Sequence, residues 1–214
     1  MANIFFTSDT HYGHANIASK NSSRWKEGYR HYKSLDEMNQ DLVKSINKTV
    51  GPDDILYHLG DWSFGGKDNI KKFRDQVNCQ TIHLIFGNHD HHIENVDELI
   101  PGTGNYYHEL FASTQHYAEV SIHGRIFVLS HYGHRVWHGS HKGWIHLYGH
   151  SHDSLPPYGK SMDVGVDTAI RMLGEPRPFS LKEVVDFMDK QPLEFPDHHD
   201  LKTNTGKPQF AKQR

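Results

Sequence analysis

The chain has 214 residues, of which 36% are hydrophobic and 23% are charged, with a formal net charge of −3. This length suits one sizeable core and is short for two. No run approaches the ~18 apolar residues of a membrane span, and the charge gives no sign of a broad basic surface for duplex nucleic acid. The N-terminus lacks the features of a signal peptide, and the single cysteine, Cys79, excludes an internal disulfide. We therefore expect a cytoplasmic protein.

Strand and helix signals alternate in the first half of the chain. Segments rich in β-branched and aromatic residues predict three strands, over residues 3–8, 54–59 and 81–86. A capping box of Ser34 and Glu37 opens a helix that Gly51-Pro52 ends. A second helix is expected over residues 68–77, whereas residues 14–33 form a polar stretch without a periodic pattern. This alternation is typical of an α/β sheet.

The second half of the chain begins with a hairpin signal. Two strands, residues 116–122 and 125–129, are joined at His123-Gly124. Further strands are predicted over residues 145–148 and 162–166, and a second capping box, Ser180 with Glu183, opens a last helix. Nothing resembling a linker divides the chain. We therefore predict one domain, residues 1–195, and a polar C-terminal tail, residues 196–214.

Five short polar clusters each follow a predicted apolar strand. They are Asp9-Thr10-His11, Gly60-Asp61, Gly87-Asn88-His89-Asp90, Ser130-His131 and Gly149-His150-Ser151-His152. Singly, Asp-x-His and Gly-Asp are weak evidence, because Gly-Asp is a common turn, and His150 and His152 alone could be exposed strand residues. Gly-Asn-His-Asp directly after an apolar run is stronger evidence. Ligand sites in open α/β sheets lie beyond the carboxyl ends of the strands. The five clusters are therefore expected to converge on one site.

The residue types and their spacing predict a metal site. In an extended segment, residues two apart point to the same face, so Asp9 with His11, and His150 with His152, can each address one site. Glycine precedes three of the candidate ligands, which permits a sharp turn and close packing behind them. Carboxylate, amide and imidazole groups without a thiolate suit Mn, Fe, Zn or Ni rather than a structural zinc finger. A carboxylate such as Asp61 can bridge two ions ~3.5–4 Å apart, the arrangement used in phosphoryl hydrolysis.

The ordered set resembles the calcineurin-like metallophosphoesterase superfamily, whose pattern is D-x-H, G-D, G-N-H-[DE], H and G-H-x-H. The resemblance extends from residue 3 to about residue 190. Additional segments are similar to small single-domain phosphoesterases of bacteria and their phages: Phe6 to His14, His58 to Asp61, Ser130 to Tyr132, Gly139 to His141 and Met162 to Asp167. The resemblance implies an α/β (α+β) fold, a four-layer α/β/β/α sandwich of two mixed sheets flanked by helices.

The resemblance also implies a role for each residue. One divalent ion is held by Asp9, His11 and His152, the other by Asn88, His131 and His150, and Asp61 bridges them. His89 binds no metal; it contacts the substrate phosphate and protonates the leaving oxygen, and Asp90 orients it. The ions, expected to be Mn²⁺ with Fe, Zn or Ni as alternatives, lower the pKa of a bridging water. The resulting hydroxide attacks phosphorus without a covalent phosphoenzyme.

One departure from the family pattern argues against a protein phosphatase. Ser/Thr protein phosphatases of this superfamily carry an Asp and an Arg in G-D-x-x-D-R-G, and both are absent from the run that begins at Gly60 and ends at Gly66. Four residues in polar segments beside the motifs are either substrate contacts or exposed loop residues: His14, Arg135, His138 and His141. Three aromatic residues next to the ligands could stack on a base, but packing in the core or at the rim is the simpler expectation: Tyr12, Trp62 and Tyr132.

The leading hypothesis is a metal-dependent phosphoric ester hydrolase that cleaves phosphodiester bonds of a small or exposed substrate. Cyclic nucleotides, other nucleotides and single-stranded nucleic-acid ends are all compatible. A phosphomonoesterase of the same fold is the close alternative, because neither residue type nor spacing separates the two. An alternative of another class is a catalytically silent binding scaffold. The presence of His89 and of every candidate ligand argues against it. The oligomeric state stays open.

Overall fold

The computed structural model describes residues 2–24 and 27–194, and in these ranges the chain forms two mixed β-sheets flanked by helices. The predicted C-terminal tail, residues 196–214, lies outside the described residues. The two sheets and their flanking helices confirm the expected fold class. Within the described ranges, no helix combines the length and the apolar character needed to cross a membrane.

Nine strands, numbered in chain order, make up the two sheets of the described residues. Their bounds are Ile4–Thr7 (β1), Ile55–His58 (β2), Thr81–Ile85 (β3), Ser113–Gln115 (β4), Tyr117–Ile122 (β5), Arg125–Ser130 (β6), Ile145–Tyr148 (β7), Ser161–Asp163 (β8) and Phe179–Ser180 (β9). The first sheet has the order β4-β3-β2-β1-β9, and the second has the order β5-β6-β7-β8.

Parallel pairing brings the strand ends to one edge of each sheet. In the first sheet β1 to β4 are parallel and β9 is antiparallel to β1. Thr7 pairs with His58, and His58 pairs with Leu84, so β1, β2 and β3 end at nearly the same level. In the second sheet, β5 and β6 form the predicted hairpin, and β6, β7 and β8 run parallel. The loops that follow β1, β2, β3, β6 and β7 therefore start from aligned strand ends.

Six α-helices in the described ranges cover the sheets. They are Ala15–Ala18 (α1), Leu35–Thr49 (α2), Lys67–Arg74 (α3), His91–Glu94 (α4), Val166–Leu173 (α5) and Leu181–Met188 (α6), with short 3₁₀ turns at Tyr107–Leu110 and Ser140–Lys142. The Ser34 hydroxyl accepts a hydrogen bond from the Glu37 N–H, and Ser180 and Glu183 form a reciprocal capping box. The capping box at Ser180 is therefore confirmed, whereas at Ser34 only the hydroxyl half forms, because the Glu37 carboxylate accepts from the Lys33 N–H at 2.5 Å and not from that of Ser34.

Two principal cores stabilise this arrangement. One joins the first sheet to α2 and α3, and it includes Tyr12 and Trp62, whose rings lie 4.7 and 4.4 Å from that of Phe73. Both aromatic residues are buried, which matches the simpler expectation for them. The other core fills the space between the sheets, where Phe6 stacks on Phe127 at 5.6 Å, and it continues to α5 and α6. Burial on this scale contributes roughly 25 cal/mol per Å² of apolar surface.

Several short elements differ from the sequence-based expectations. The strand predicted over residues 162–166 is wrong in its second half, because β8 ends at Asp163 and α5 begins at Val166. The β-branched Val166 and Thr168 favour a strand locally, but both are buried in the first turn of a helix, where Val166 packs with residues of α1 and α2. The strands β4 and β9 have only three and two residues, too few for a periodic signal.

Candidate metal centre and active site

All the candidate ligands lie in loops just beyond strand ends. Asp9 and His11 follow β1, Asp61 follows β2, Asn88 follows β3, His131 follows β6, and His150 and His152 follow β7. Backbone hydrogen bonds hold these loops together: Asp9 N–H donates to Gly60 O at 2.9 Å, and Gly149 N–H donates to His131 O at 2.9 Å. The His150 N–H donates to Asp9 Oδ2 at 2.9 Å and so joins the two sheets. The clusters therefore converge as predicted.

Glycines pack tightly behind the ligands. A Cβ added to Gly87 would lie 2.2 Å from Asp61 Oδ1, and one added to Gly149 would lie 2.4 Å from Asp9 Oδ2. Gly60 adopts a φ of 99°, which side-chain-bearing residues rarely reach. The expectation that these glycines permit sharp turns and close approach is confirmed.

Left-handed backbone conformations position most of the ligands. Positive φ angles occur at Asp9 (55°), His11 (47°), Asp61 (55°), His150 (65°) and His152 (46°). This conformation costs an L-residue about 1–2 kcal/mol, and such strain is characteristic of functional sites. The extended segments expected for residues 9–11 and 150–152 are therefore wrong in backbone geometry, although both pairs of side chains reach the same centre.

The first ligand cluster consists of Asp9, His11 and His152, whose potential ligand atoms lie within 4.8 Å of one another. Asp9 Oδ1 is 3.8 Å from His11 Nε2 and 3.9 Å from His152 Nε2. Asp9 Oδ1 and His11 Nε2 are buried and have no hydrogen-bond partner in the described structure. Buried polar atoms are normally satisfied, so this pair of orphaned atoms fits a bound cation.

The second ligand cluster consists of Asp61, His131 and His150, again within 4.8 Å. Asn88 belongs with it, because Asn88 Oδ1 lies 3.2 Å from His131 Nε2 and 2.9 Å from His150 Nδ1. His131 Nδ1 lies 2.7 Å from the carbonyl oxygen of Leu59. A carbonyl can only accept, so Nδ1 carries the proton and Nε2 presents its lone pair to the cluster.

Asp61 lies between the two clusters. Its Oδ2 is 3.4 Å from His11 Nε2 in the first cluster and 3.6 Å from His131 Nε2 in the second. Its Oδ1 accepts a hydrogen bond of 2.9 Å from the His89 N–H. One carboxylate oxygen is thus equally available to both clusters, while the other is held by the backbone.

His89 borders the centre without joining either cluster. Its ring lies 5.5 Å from the His11 ring, 6.5 Å from the His14 ring and 4.9 Å edge-on from Phe64. The imidazole is half-buried. The Phe64 contact and the backbone hydrogen bond to Asp61 hold this residue beside the centre, where an imidazole can donate a proton to a substrate atom.

A sequence model of calcineurin-like phosphoesterases matches residues 2–185. The chain belongs to the calcineurin-like phosphoesterase family. An uncharacterized protein of Methanocaldococcus jannaschii is 29% identical over 199 residues, which cover 89% of this chain and 93% of that protein. The structure of a protein of unknown function from Aquifex aeolicus is 20% identical, with a TM-score of 0.59, over 87% of this chain and 100% of that chain. A novel archaeal phosphodiesterase has 20% identity and a TM-score of 0.44, over 76% and 83% of the two chains.

Family membership and the two ligand clusters make this chain a metal-dependent hydrolase of phosphoesters. The Aquifex structure shows the same fold. The two clusters supply histidine, carboxylate and amide donors of the kind that divalent transition metals prefer.

Asp90 has a different set of contacts in this phosphoesterase from the one expected. Its Oδ2 accepts hydrogen bonds from the N–H groups of Gly87 and Asp61, both at 2.8 Å, and its Oδ1 accepts one from Trp62 N–H at 3.0 Å. None of these hydrogen bonds comes from His89. Burial raises the pKa of Asp90 to about 7, and these backbone donors oppose the shift. The carboxylate therefore fastens the loop after β2 to the loop after β3, and it acts on His89 only through the backbone.

Sequence reasoning missed two charged residues at the phosphoesterase site. Asp167 Oδ2 lies 2.7 Å from His152 Nδ1, and the guanidinium of Arg30 donates to both oxygens of Asp167 at 2.9 Å. Asp167 stands at the end of the motif that contributes to the resemblance. Arg30 gave no signal, because it lies in the polar segment 14–33 without a recognisable pattern.

One predicted substrate contact lies beside the centre. The His14 ring stacks on Phe64 at 3.9 Å and lies 5.2 Å from the His11 ring. Tyr132 also borders the site: its ring lies 4.6 Å from that of His150, and 49% of the residue is exposed. Tyr132 therefore forms part of the rim, on the side of the second cluster.

Two of the other three predicted substrate contacts have partners elsewhere. The Arg135 guanidinium lies 3.8 Å above the Tyr158 ring. His138 Nδ1 lies 2.9 Å from a carboxylate oxygen of Glu119 on β5. His141 lies in the 3₁₀ turn before β7. These partners hold Arg135 and His138 away from the ligand clusters, and the role of all three residues in substrate binding stays a prediction.

Burial sets the protonation of the first cluster. It raises the pKa of Asp9 to about 7 and lowers the pKa of His11 well below its ordinary value. Burial also opposes the cationic form of His152, but the hydrogen bond to Asp167 and the nearby charge of Asp9 outweigh it and raise the pKa of His152. In the metal-free protein the cluster thus holds a carboxyl group that ionises reluctantly, which a cation would reverse.

Proposed function

We propose that this chain hydrolyses phosphodiester bonds of a small or exposed substrate at a two-metal centre. One ion would be held by Asp9, His11 and His152, the other by Asn88, His131 and His150, with Asp61 bridging. The position of Asp61 Oδ2, 3.4 and 3.6 Å from one histidine nitrogen of each cluster, is the observation that carries the proposal. A single oxygen so placed can ligate both ions of an adjacent pair.

The donor set supports transition metals at both clusters. Imidazole, carboxylate and amide groups without a thiolate suit Mn²⁺, Fe²⁺, Zn²⁺ or Ni²⁺. Three of the seven candidate ligands are carboxylate or amide oxygens, which makes Mn²⁺ the first ion to test. Bound ions would lower the pKa of water and neutralise charge on the phosphoryl oxygens. The protein's part is to hold its donors in place, and the glycine contacts and Asp90 hydrogen bonds serve that purpose.

His89 supplies the proton for the leaving group. The backbone hydrogen bond from His89 N–H to Asp61 Oδ1 ties this residue to the carboxylate that lies between the clusters. The His89 ring lies 5.5 Å from the ring of His11, so a substrate phosphate held by ions at the two clusters would lie beside the imidazole. Phe64 packs edge-on against that ring and limits its rotation. A group so placed can protonate an alkoxide as it departs.

Charge and access favour a diester over a monoester. A phosphomonoester carries the larger negative charge and is best bound where a free guanidinium can pair with it. The guanidinium that contacts the first cluster in the described structure belongs to Arg30. It is buried, and its donors are already bonded to Asp167 and to backbone carbonyls. The exposed Asn88, His150 and Tyr132 leave the second cluster open to a substrate with two ester groups. Cyclic nucleotides and the diester linkages at single-stranded nucleic-acid ends have this chemistry.

A metal-supplemented screen tests the proposal. Purified protein with Mn²⁺, Fe²⁺, Zn²⁺ or Ni²⁺ would be assayed on aryl diesters, aryl monoesters, 2′,3′- and 3′,5′-cyclic nucleotides and short oligonucleotides. We expect diesterase activity that chelation removes, and none in Asp9→Asn, because Asp9 Oδ1 is the orphaned oxygen of the first cluster. Preference for monoesters would support the alternative phosphomonoesterase. Metal binding without hydrolysis of either class would indicate a binding scaffold.

A further inference from the structure

Arg30 is a buried charge in a segment without sequence pattern. Only 4% of the residue is exposed. A buried guanidinium costs several kcal/mol unless its donors are satisfied, and the described contacts of Arg30 provide this. Its Nε and Nη2 donate to the two oxygens of Asp167 at 2.9 Å, Nη1 donates to Thr10 O at 3.1 Å, and Nη2 also donates to Asp9 O at 2.6 Å.

Asp167 passes this constraint to a candidate ligand. It lies in the first turn of α5, and its Oδ2 also receives a hydrogen bond of 2.7 Å from His152 Nδ1. Because a carboxylate bonded to a guanidinium can only accept, His152 must carry its proton on Nδ1. The lone pair of Nε2 then faces Asp9 Oδ1, 3.9 Å away. A carboxylate behind a ligating imidazole fixes its tautomer and increases its basicity.

One guanidinium thus connects ligands from both sheets. It holds the backbone carbonyl of Asp9 after β1, and through Asp167 it holds the side chain of His152 after β7. The second cluster is supported differently, since His131 Nδ1 is bonded to the backbone carbonyl of Leu59. We propose that Arg30 and Asp167 are positioning residues that set the tautomer of His152 and the affinity of the first cluster for its ion. This inference rests on the proposed metal centre.

Asp167→Leu tests the tautomer directly. The substitution removes the acceptor of the His152 Nδ1 proton and leaves an apolar side chain of similar size. Without that acceptor the proton can move to Nε2, where it blocks ligation. We expect two Mn²⁺ ions per chain in the native protein, and in the variant one ion bound normally and one bound ~10–100-fold more weakly. Titration calorimetry with Mn²⁺ measures both.

Arg171→Met is the matched control. Arg171 lies on the same helix, and its guanidinium donates to both oxygens of Asp153, at 2.5 and 2.7 Å, directly after His152 in the chain. The Arg171 side chain is exposed and that of Asp153 is partly buried, and their ion pair includes no residue of either ligand cluster. Both ions should bind to Arg171→Met with native affinity. An equal loss of affinity in the control would overturn the specific role of Arg30 and Asp167.

A double variant separates positioning from a folding defect. In Arg30→Met with Asp167→Leu both partners are apolar, so no buried charge is left unpaired while the acceptor of the Nδ1 proton is still missing. Nitrogen-15 NMR of the metal-free proteins, recorded above the raised pKa of His152, should show the Nδ1–H form in the native chain and the Nε2–H form in both the single and the double variant. The same tautomer in all three overturns the inference. If the native chain binds no ion pair, the proposed function fails, while the NMR comparison still tests the positioning.

Discussion

Replacing Asp61 by asparagine tests the position between the two clusters. The substitution keeps the shape of the side chain, and the contacts of Asp61 determine which way the new amide group is oriented. Asp61 Oδ1 accepts the His89 N–H at 2.9 Å. An NH₂ group cannot take that place, because two donors would face each other. The amide oxygen must therefore stay at His89, and the NH₂ group must point at His11 and His131, where it cannot ligate an ion.

The size of the expected decrease in kcat follows from the loss of a ligand that both ions would share. Without a bridging anion, two like-charged ions lie together without neutralisation, so at least one should leave at micromolar Mn²⁺. A bound ion supplies several kcal/mol of transition-state stabilisation in phosphoryl transfer. Since about 1.4 kcal/mol corresponds to a tenfold change in rate, kcat on an aryl diester should fall ~10³-fold or more.

Metal content and turnover should be measured together on Asp61→Asn. Elemental analysis of the desalted protein gives the ions per chain, and anomalous scattering from Mn²⁺-loaded crystals gives their positions. Asp54→Asn is the control, because Asp54 also accepts backbone hydrogen bonds but does so from Asn3 and Gly51, at the opposite end of β2. Near-normal turnover with two bound ions in Asp61→Asn would refute the bridging assignment.

Two further predictions concern the proton donor and the first cluster. His89→Asn should keep both ions and lose ~10²–10⁴-fold in kcat, more on an alkyl diester, whose alkoxide needs a proton, than on a p-nitrophenyl ester; equal losses would contradict its role as general acid, and loss of an ion would make it a ligand. Burial raises the pKa of Asp9 to about 7, so in the metal-free protein its contribution to stability is complete at low pH and is lost as pH rises through about 7. Mn²⁺ requires the carboxylate, so calorimetric affinity at this cluster should weaken as pH falls below about 7; a flat profile would refute the burial argument.

The candidate ligands could be found from the sequence because each cluster directly follows an apolar segment with strand character. An apolar strand that ends in a glycine directly precedes Asp61, Asn88 and His150. Parallel strands end at one edge, so short-range signals are enough to predict a long-range cluster. The hairpin at residues 123–124 and the serine N-caps of α2 and α6 were also predictable, since each depends on residues within a few positions of one another.

The remaining features depend on contacts that no local pattern encodes. Arg30 and Asp167 are 137 residues apart, and neither has a neighbour that predicts the pairing. The role of Asp90 could not be read from adjacency to His89, because its carboxylate turns back toward backbone N–H groups of the preceding loops. The positive φ angles of the ligands were also hidden, since an isolated Asp-x-His segment has no reason to adopt them.

The joining of loops from both sheets has a mechanical consequence. Asp9 and His11 come from the first sheet and His152 comes from the second, so an ion at that cluster would act as a cross-link between them. The chain has a single cysteine, and 141 residues separate Asp9 from His150, the ligands already joined by a hydrogen bond. A cross-link that closes a loop of that length removes about 5 kcal/mol of entropy from the unfolded chain. Metal supply would then govern how long the folded protein resists heat and proteases, as oxidation does for a disulfide-bonded protein.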